Sequence, residues 1–408
     1  MTGPDDATDD GQQTPGIGDT PYFAGIGPVS PRSPADLDPL LHWLRSGREA
    51  VERTDFPAGT ALPDGRLDLC KQQLGPDGAA LVADALRPGP VRHLLLGTDG
   101  LGDDGADAVA GKAAEAEVET LYLGCNGISA EGACRIADQL RGSPQAVSGV
   151  WLKRNPLGPA AGEAAAELLQ AARSLRTLDL VQTGLTPAGL RVLADALIAA
   201  SGAGRRIERL YAGGNALGPA GASAIAPAVE AGAVGELYLS AARLGDEGAE
   251  VLADALTRSP HGRLRRLSLA SNGIGPRAAA RLVAAAVGAG VEVCDLGRVR
   301  AAGALGAADN ALDEAATTAI AAALAEGRHR LTHLVLSNTG MRSRQALPLL
   351  AGAGRAVSPT RYLLGKGIAS SVRRRLDALS GSLPQLPPVP ADVAAIRSVH
   401  RTPPPEPA

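Results

Sequence analysis

One phrase, L-x-L-x-x-N-x-L-G-x-x-G-A-x-x-L-A-x-A-L, recurs in intact or degraded form ten times between Leu67 and Met341. The clearest copies begin at Leu121, Val150, Leu210, Leu237 and Leu267. Marked by their first apolar residue, the ten start at Leu67, Leu94, Leu121, Val150, Leu178, Leu210, Leu237, Leu267, Cys294 and Leu334, mostly 27 to 32 residues apart. A fixed period of this length restricts the chain to a solenoid. Each copy is one unit that cannot bury its faces alone, so neighbours must stack into a shared core.

Within a copy, L-x-L alternates as a half-buried strand does: Leu121 and Leu123 point into the stack and Tyr122 points out. The Asn that follows, intact at Asn126, Asn155, Asn215 and Asn272, suits a buried position where its amide bonds backbone groups of its own turn and the next. Gln72, Asp99, Thr183, Ala242 and Thr339 stand there in other copies. Pro76, Pro159, Pro187, Pro219 and Pro276 then fall at a first helical position, where a missing N–H costs nothing. Apolar residues at helical spacing follow, as in Leu190, Leu193, Ala194 and Leu197.

A strand and a helix in every repeat, at a period near 28, resembles the ribonuclease-inhibitor-like class of leucine-rich repeat proteins over roughly residues 65–350. The Ala-rich helices and scarce aromatics look like a high-GC bacterial version. The fold class expected is an α/β leucine-rich repeat solenoid, a right-handed horseshoe with parallel strands on the concave face and helices on the convex face. The resemblance implies a non-catalytic scaffold or inhibitor that binds a protein partner on the concave face. Ran GTPase-activating proteins belong to the same class, and they supply the alternative reading, a regulator of a GTPase.

The ends break the pattern. Residues 1–33 hold Asp5, Asp6, Asp9, Asp10 and Asp19 with no basic residue before Arg32, the composition of a disordered acidic tail. Residues 34–64 are expected to form a helical cap through Leu40, Leu41, Trp43 and Leu44, with Phe56 beside them. The array spans 65–350, a degraded repeat or cap 351–380, and a Pro-rich disordered tail 381–408.

Forty basic against 43 acidic residues argue against nucleic-acid binding, which rests on clustered positive charge. No apolar run is long enough to cross a membrane unbroken, and the N-terminus lacks the basic and apolar regions of a signal peptide, so a cytoplasmic protein is expected. Cys70, Cys125, Cys134 and Cys294 are scattered and read as reduced thiols. No G-x-x-x-x-G-K-[ST], H-E-x-x-H or G-x-S-x-G occurs, nor any metal-spaced Cys/His set. Neither enzymatic activity, a cofactor nor a metal is expected.

The outward strand position reads Asp68, Leu95, Tyr122, Trp151, Asp179, Tyr211, Tyr238, Ser268, Asp295, Val335. Four of the chain's nine aromatics fall at this one register, far above a random share, so Tyr122, Trp151, Tyr211 and Tyr238 are the expected protein-binding stripe. The plainer account is that aromatics simply suit strands. Lys153, Arg154 and Asp179, with Arg209, Glu236 and Arg266, form a mixed-sign rim suited to a protein or peptide. An insertion at 297–309 delays Asn310 and carries Arg298 and Arg300, candidate loop contacts for a partner or a GTPase. A third reading is self-association.

Overall fold

The structure, a computed structural model, describes residues 28–142 and 145–399. Among them thirteen strands form one sheet whose spatial order is the order of the chain. They are β1 (Thr54–Phe56), β2 (Gly59–Ala61), β3 (Arg66–Asp68), β4 (His93–Leu95), β5 (Thr120–Tyr122), β6 (Gly149–Trp151), β7 (Thr177–Asp179), β8 (Ile207–Tyr211), β9 (Val234–Tyr238), β10 (Arg266–Ser268), β11 (Val293–Asp295), β12 (His333–Leu336) and β13 (Arg361–Leu364). β1, β2 and β3 pair antiparallel. From β3 onward every pairing is parallel, and one register carries Leu67 through all ten markers to Leu334 and on to Tyr362.

Each strand from β3 to β13 is followed by a helix, the first Gly75–Ala85 and the last Ser370–Leu379. Neighbouring strands sit ~4.8 Å apart and packed helices ~8–10 Å, so the stack curves with the sheet on its inner, concave side. The chain is therefore an α/β leucine-rich repeat solenoid. Its core runs unbroken from Leu37 to Leu376.

The asparagines tie one turn to the next. Asn155 Oδ1 accepts from the Asn126 N–H at 2.8 Å, while its Nδ2 donates to the Leu123 and Leu152 carbonyls. Asn310 takes the same place beyond the insertion, accepting from Asn272 N and donating to Leu269 and Leu296. Among the other residues at this position, Asp99 carries a buried carboxylate. Its Oδ1 accepts from Gln72 N at 2.6 Å, but Oδ2 is buried without a hydrogen-bond partner. Burial pushes its pKa up to about 8, against the lowering effect of backbone N–H donors.

Three end segments differ from expectation. Residues 28–33 are not a free tail: Arg32 donates through its backbone N to Gln73 O and through Nε to Gln72 O. Residues 1–27 lie outside the described residues, as do 400–408. The segment 34–64 holds, besides the helix Asp38–Arg45 and a Trp43–Phe56 ring contact at 5.5 Å, the antiparallel hairpin of β1 and β2. That hairpin covers the open edge of β3, which a helix alone would leave unpaired. Gly59 makes it possible, since at its φ of 110° a Cβ would lie 2.3 Å from Leu69 Cδ2. Residues 381–399, expected as a disordered tail, instead turn back across the strand face and include a short helix, Ala391–Ala395. Among the described residues no helix is long and apolar enough to cross a membrane.

Candidate functional site

The strand alternation that buries the core leucines puts Tyr122, Trp151, Asp179, Tyr211 and Tyr238 in one register on β5 to β9. Tyr211 stacks on Tyr238 with centroids 4.2 Å apart, and Trp151 meets Tyr211 at 5.1 Å. Lys153 Nζ stands 5.2 Å above the Tyr122 ring. Trp151 and Tyr211 lie on strands two ladder spacings apart, ~9.6 Å, so rings this close must lean together over the strand between them. That strand carries Asp179, which is 3 % exposed. Burial pushes its pKa up to about 6, although the Val181 N–H and the Lys153 charge favour the carboxylate.

Trp151 itself is 4 % exposed, so the residue expected as an exposed anchor is a covered one. Tyr122, Tyr211 and Tyr238 are half-buried. The Tyr238 hydroxyl donates to Glu236 Oε2 at 2.7 Å and accepts from Arg266 Nη1 at 3.3 Å; burial and the adjacent Glu236 push its pKa up to about 12. Arg209 Nε lies 3.7 Å from Glu236 Oε2. The rim thus binds itself into a network of alternating charge. Arg154 sits in the turn after β6 at a φ of 56°.

The insertion folds onto this face. Ala302, Leu305 and Ala307 bury themselves against Ala241, and Arg243 donates to the Leu305 carbonyl through Nε at 3.1 Å. Between insertion and sheet remains an apolar cleft of about 240 Å³, walled by Val181, Tyr211 and Tyr238 on one side and Val299, Ala301 and Leu305 on the other. Of the two candidate arginines, Arg298 pairs with Asp309 of the same insertion at 3.4 Å, and Arg300 is exposed. Neither joins the aromatic row.

The residue preceding each core leucine faces the same side as the aromatic position, and along that second register runs residues 383–399. Arg361 Nη2 donates to Leu383 O at 2.8 Å, and His333 Nε2 lies 3.1 Å from Pro384 O. Arg266 Nη2 donates to Pro388 O at 3.1 Å. Asp392 Oδ2 accepts from Arg209 at 2.5 Å and from the Thr177 hydroxyl at 3.5 Å. Arg66 Nη1 donates to Arg397 O at 2.7 Å, and Asp68 Oδ2 accepts from Ser398 Oγ and Val399 N at 2.8 and 2.6 Å. Arg209 and Arg266 were expected at this rim, whereas Arg66, Asp68, Thr177, His333 and Arg361 were not expected as contacts. Their common place, one residue before or after a core leucine, was the signal available.

Among the described residues no three His, Cys, Asp or Glu side chains converge as metal ligands would. A family model described as "Leucine Rich repeat" matches residues 171–194. No curated protein matches the chain by sequence. Among solved structures it is similar to the leucine-rich repeat-containing protein LegL7 from Legionella pneumophila, with 15 % identity, 88 % of this chain and 97 % of that chain covered, and a TM-score of 0.48. It is also similar to a chain of the yeast Rad7 and Elc1 complex, with 14 % identity, coverage of 83 % and 88 %, and a TM-score of 0.42. A chain of the TLR13–ssRNA13 complex shows 16 % identity, coverage of 65 % and 35 %, and a TM-score of 0.37.

Proposed function

We propose that this solenoid is a non-catalytic protein-interaction scaffold that takes its partner on the concave face, with an apolar side chain of the partner entering the cleft between the Tyr211–Tyr238 stack and the insertion. The observation that carries this reading is the cleft itself. Its walls are mostly aromatic and aliphatic, Gln182 and Ser240 stand beside them, and the hydroxyl of the lining Tyr238 is held by Glu236 and Arg266. An apolar anchor point ringed by polar groups is the arrangement that concentrates binding energy in protein interfaces. Tyr122 and Lys153 extend the surface toward the N-terminal strands, while Trp151 and Asp179 act beneath it by holding the rings. On this reading the insertion builds the site through Val299, Ala301 and Leu305 rather than through its arginines.

The test is affinity capture with the full chain beside a Tyr211→Ala/Tyr238→Ala variant matched to it in thermal stability. A protein retained by the wild type and lost at least tenfold by the variant supports the reading, provided its hydrogen-exchange footprint falls on β7 to β9 and the insertion. Equal retention by both proteins rejects it.

A further inference from the structure

We propose that the second concave register is a groove for an extended, proline-interrupted peptide bearing one acidic side chain. The chain's own residues 383–399 are its resident occupant, and a partner of this chemistry binds by displacing them. This deepens the reading of the concave face as the protein-binding face and rests on it, but apart from Arg266, which touches both Tyr238 and Pro388, it uses different residues.

The segment crosses the sheet in strict reverse order, meeting β13, β12, β10, β8 with β7, and finally β3. Four of its backbone contacts are carbonyls, of Leu383, Pro384, Pro388 and Arg397, each opposite an Arg or His donor. Pro384, Pro387, Pro388 and Pro390 have no N–H to offer, so backbone acceptors outnumber donors along this stretch. The groove answers with donors: Arg361, His333, Arg266, Arg209 and Arg66. It ends in the one carboxylate that accepts from the segment, Asp68, which meets the Ser398 hydroxyl and Val399 N–H. Donor and acceptor character is thus complementary at each of these contacts, and the single acidic side chain, Asp392, meets Arg209 at the middle of the path.

The occupant is held as a ligand is held, not as a core element. Leu386 and Val389 remain 66 % and 45 % exposed, and of its residues only Ala395 is buried. The contacts to the proline stretch are side-chain bonds to carbonyls rather than ladder hydrogen bonds. A segment so attached competes with an outside ligand mainly through its tether, which supplies an effective concentration of about millimolar order.

The experiment uses a fluorescein-labelled peptide with the sequence of residues 382–399 and measures its anisotropy against three full-length proteins. These are the wild type, Asp392→Arg, and Asp392→Arg combined with Arg209→Glu. Asp392 lies on the segment and outside the repeat core, so its replacement loosens the occupant without altering the groove. At least tenfold tighter binding to Asp392→Arg than to the wild type is expected, with that gain lost in the double variant, where residues 209 and 392 pair again with charges reversed. Equal affinity for wild type and Asp392→Arg, or no binding to either, overturns the proposal. The Tyr211–Tyr238 reading survives such a failure, because its own capture experiment does not depend on the peptide. A wild-type dimer in light scattering that dissociates in excess peptide overturns the assignment of the occupant to its own chain, since the segment would then be exchanged between two copies.

Discussion

Two segments outside the regular repeat, one inserted within the array and one following it, are fastened to the same face by different means. The insertion at 297–309 buries Ala302, Leu305 and Ala307 on Ala241, so apolar area removed from water holds it together with the Arg243 bonds to the Leu305 carbonyl. The segment at 383–399 leaves its large apolar residues Leu386 and Val389 in solvent and is held through Arg, His and Asp side chains. Hydrophobic burial is not weakened by salt screening, while partly exposed charged contacts are. The first segment is built as a wall and the second as a removable occupant. That difference separates a permanent part of a binding site from something that competes for one.

The largest effect expected from breaking this contrast is at Leu305. Leu305→Asp removes a buried leucine, worth about 2–4 kcal/mol in such positions, and adds a carboxylate that must return to water. The insertion should then detach, with amide protection over 299–307 lost and protection over 383–399 unchanged. Hydrogen exchange reads both segments in one experiment. Loss of protection in both would show a single cooperative unit and erase the distinction.

A smaller effect tests what lies between them. Asp179 titrates near pH 6 in the fold because burial resists its charge, above its ordinary value of 3.8. An acid raised on folding contributes stability fully below pH 3.8 and loses that contribution as pH rises through 6. Asp179→Asn should therefore leave stability nearly unchanged at pH 4 and raise it by about 2–3 kcal/mol at pH 8, read by denaturant unfolding at both. If the leaning rings are the cause of burial, Trp151→Ala should move the Asp179 titration toward 4 further than Asp392→Arg does, measured by carboxyl carbon NMR. The reverse order would make the removable segment, not the rings, the roof over Asp179. Asp99 follows the same sign over a wider window. Its pKa of about 8 means that stability is lost as pH climbs from 3.8 to 8, and Asp99→Asn should flatten that slope by restoring an amide to the ladder.

How much of this was legible depended on where the information resides. The ten markers all fall in one register because each position is fixed by the need of its own leucine for a dry neighbour, a need written locally in alternation. Asn310 could be placed beyond an insertion for the same reason: an amide there both accepts from the preceding turn and donates to two carbonyls. The short hairpin of β1 and β2 was missed, since its strands, Thr54–Phe56 and Gly59–Ala61, carry neither the L-x-L alternation nor the repeat that exposed the other three-residue strands. Trp151 was expected in the open because alternation says which side a residue faces, not what covers that side. The occupant was read as a tail because prolines announce an extended chain without naming a destination. Its contact from Arg66 to Arg397 spans 331 residues of sequence. Nothing local encodes such a pairing. The donors were visible one by one, in the residues beside each core leucine, but only the fold lines them up.

The smallest expected effect is the most direct measure of the contrast. The Arg209–Asp392 pair has side chains 11 % and 37 % exposed, so it is neither fully solvated nor dry. Pairs of this kind contribute about 1 kcal/mol at low salt and less as the Debye length shrinks from ~10 Å at 0.1 M toward ~3 Å at 1 M. Raising salt across that range should increase amide exchange at Val393 to Ile396 by about fivefold, the equivalent of 1 kcal/mol. Exchange at 299–307 should stay level or slow slightly, as apolar burial is not screened. An equal acceleration in both segments would mean that salt acts on the whole solenoid. No acceleration in either would mean that the hydrogen bonds to Pro388, Arg397 and Asp68, rather than the charge pair, set the hold of the groove on its occupant.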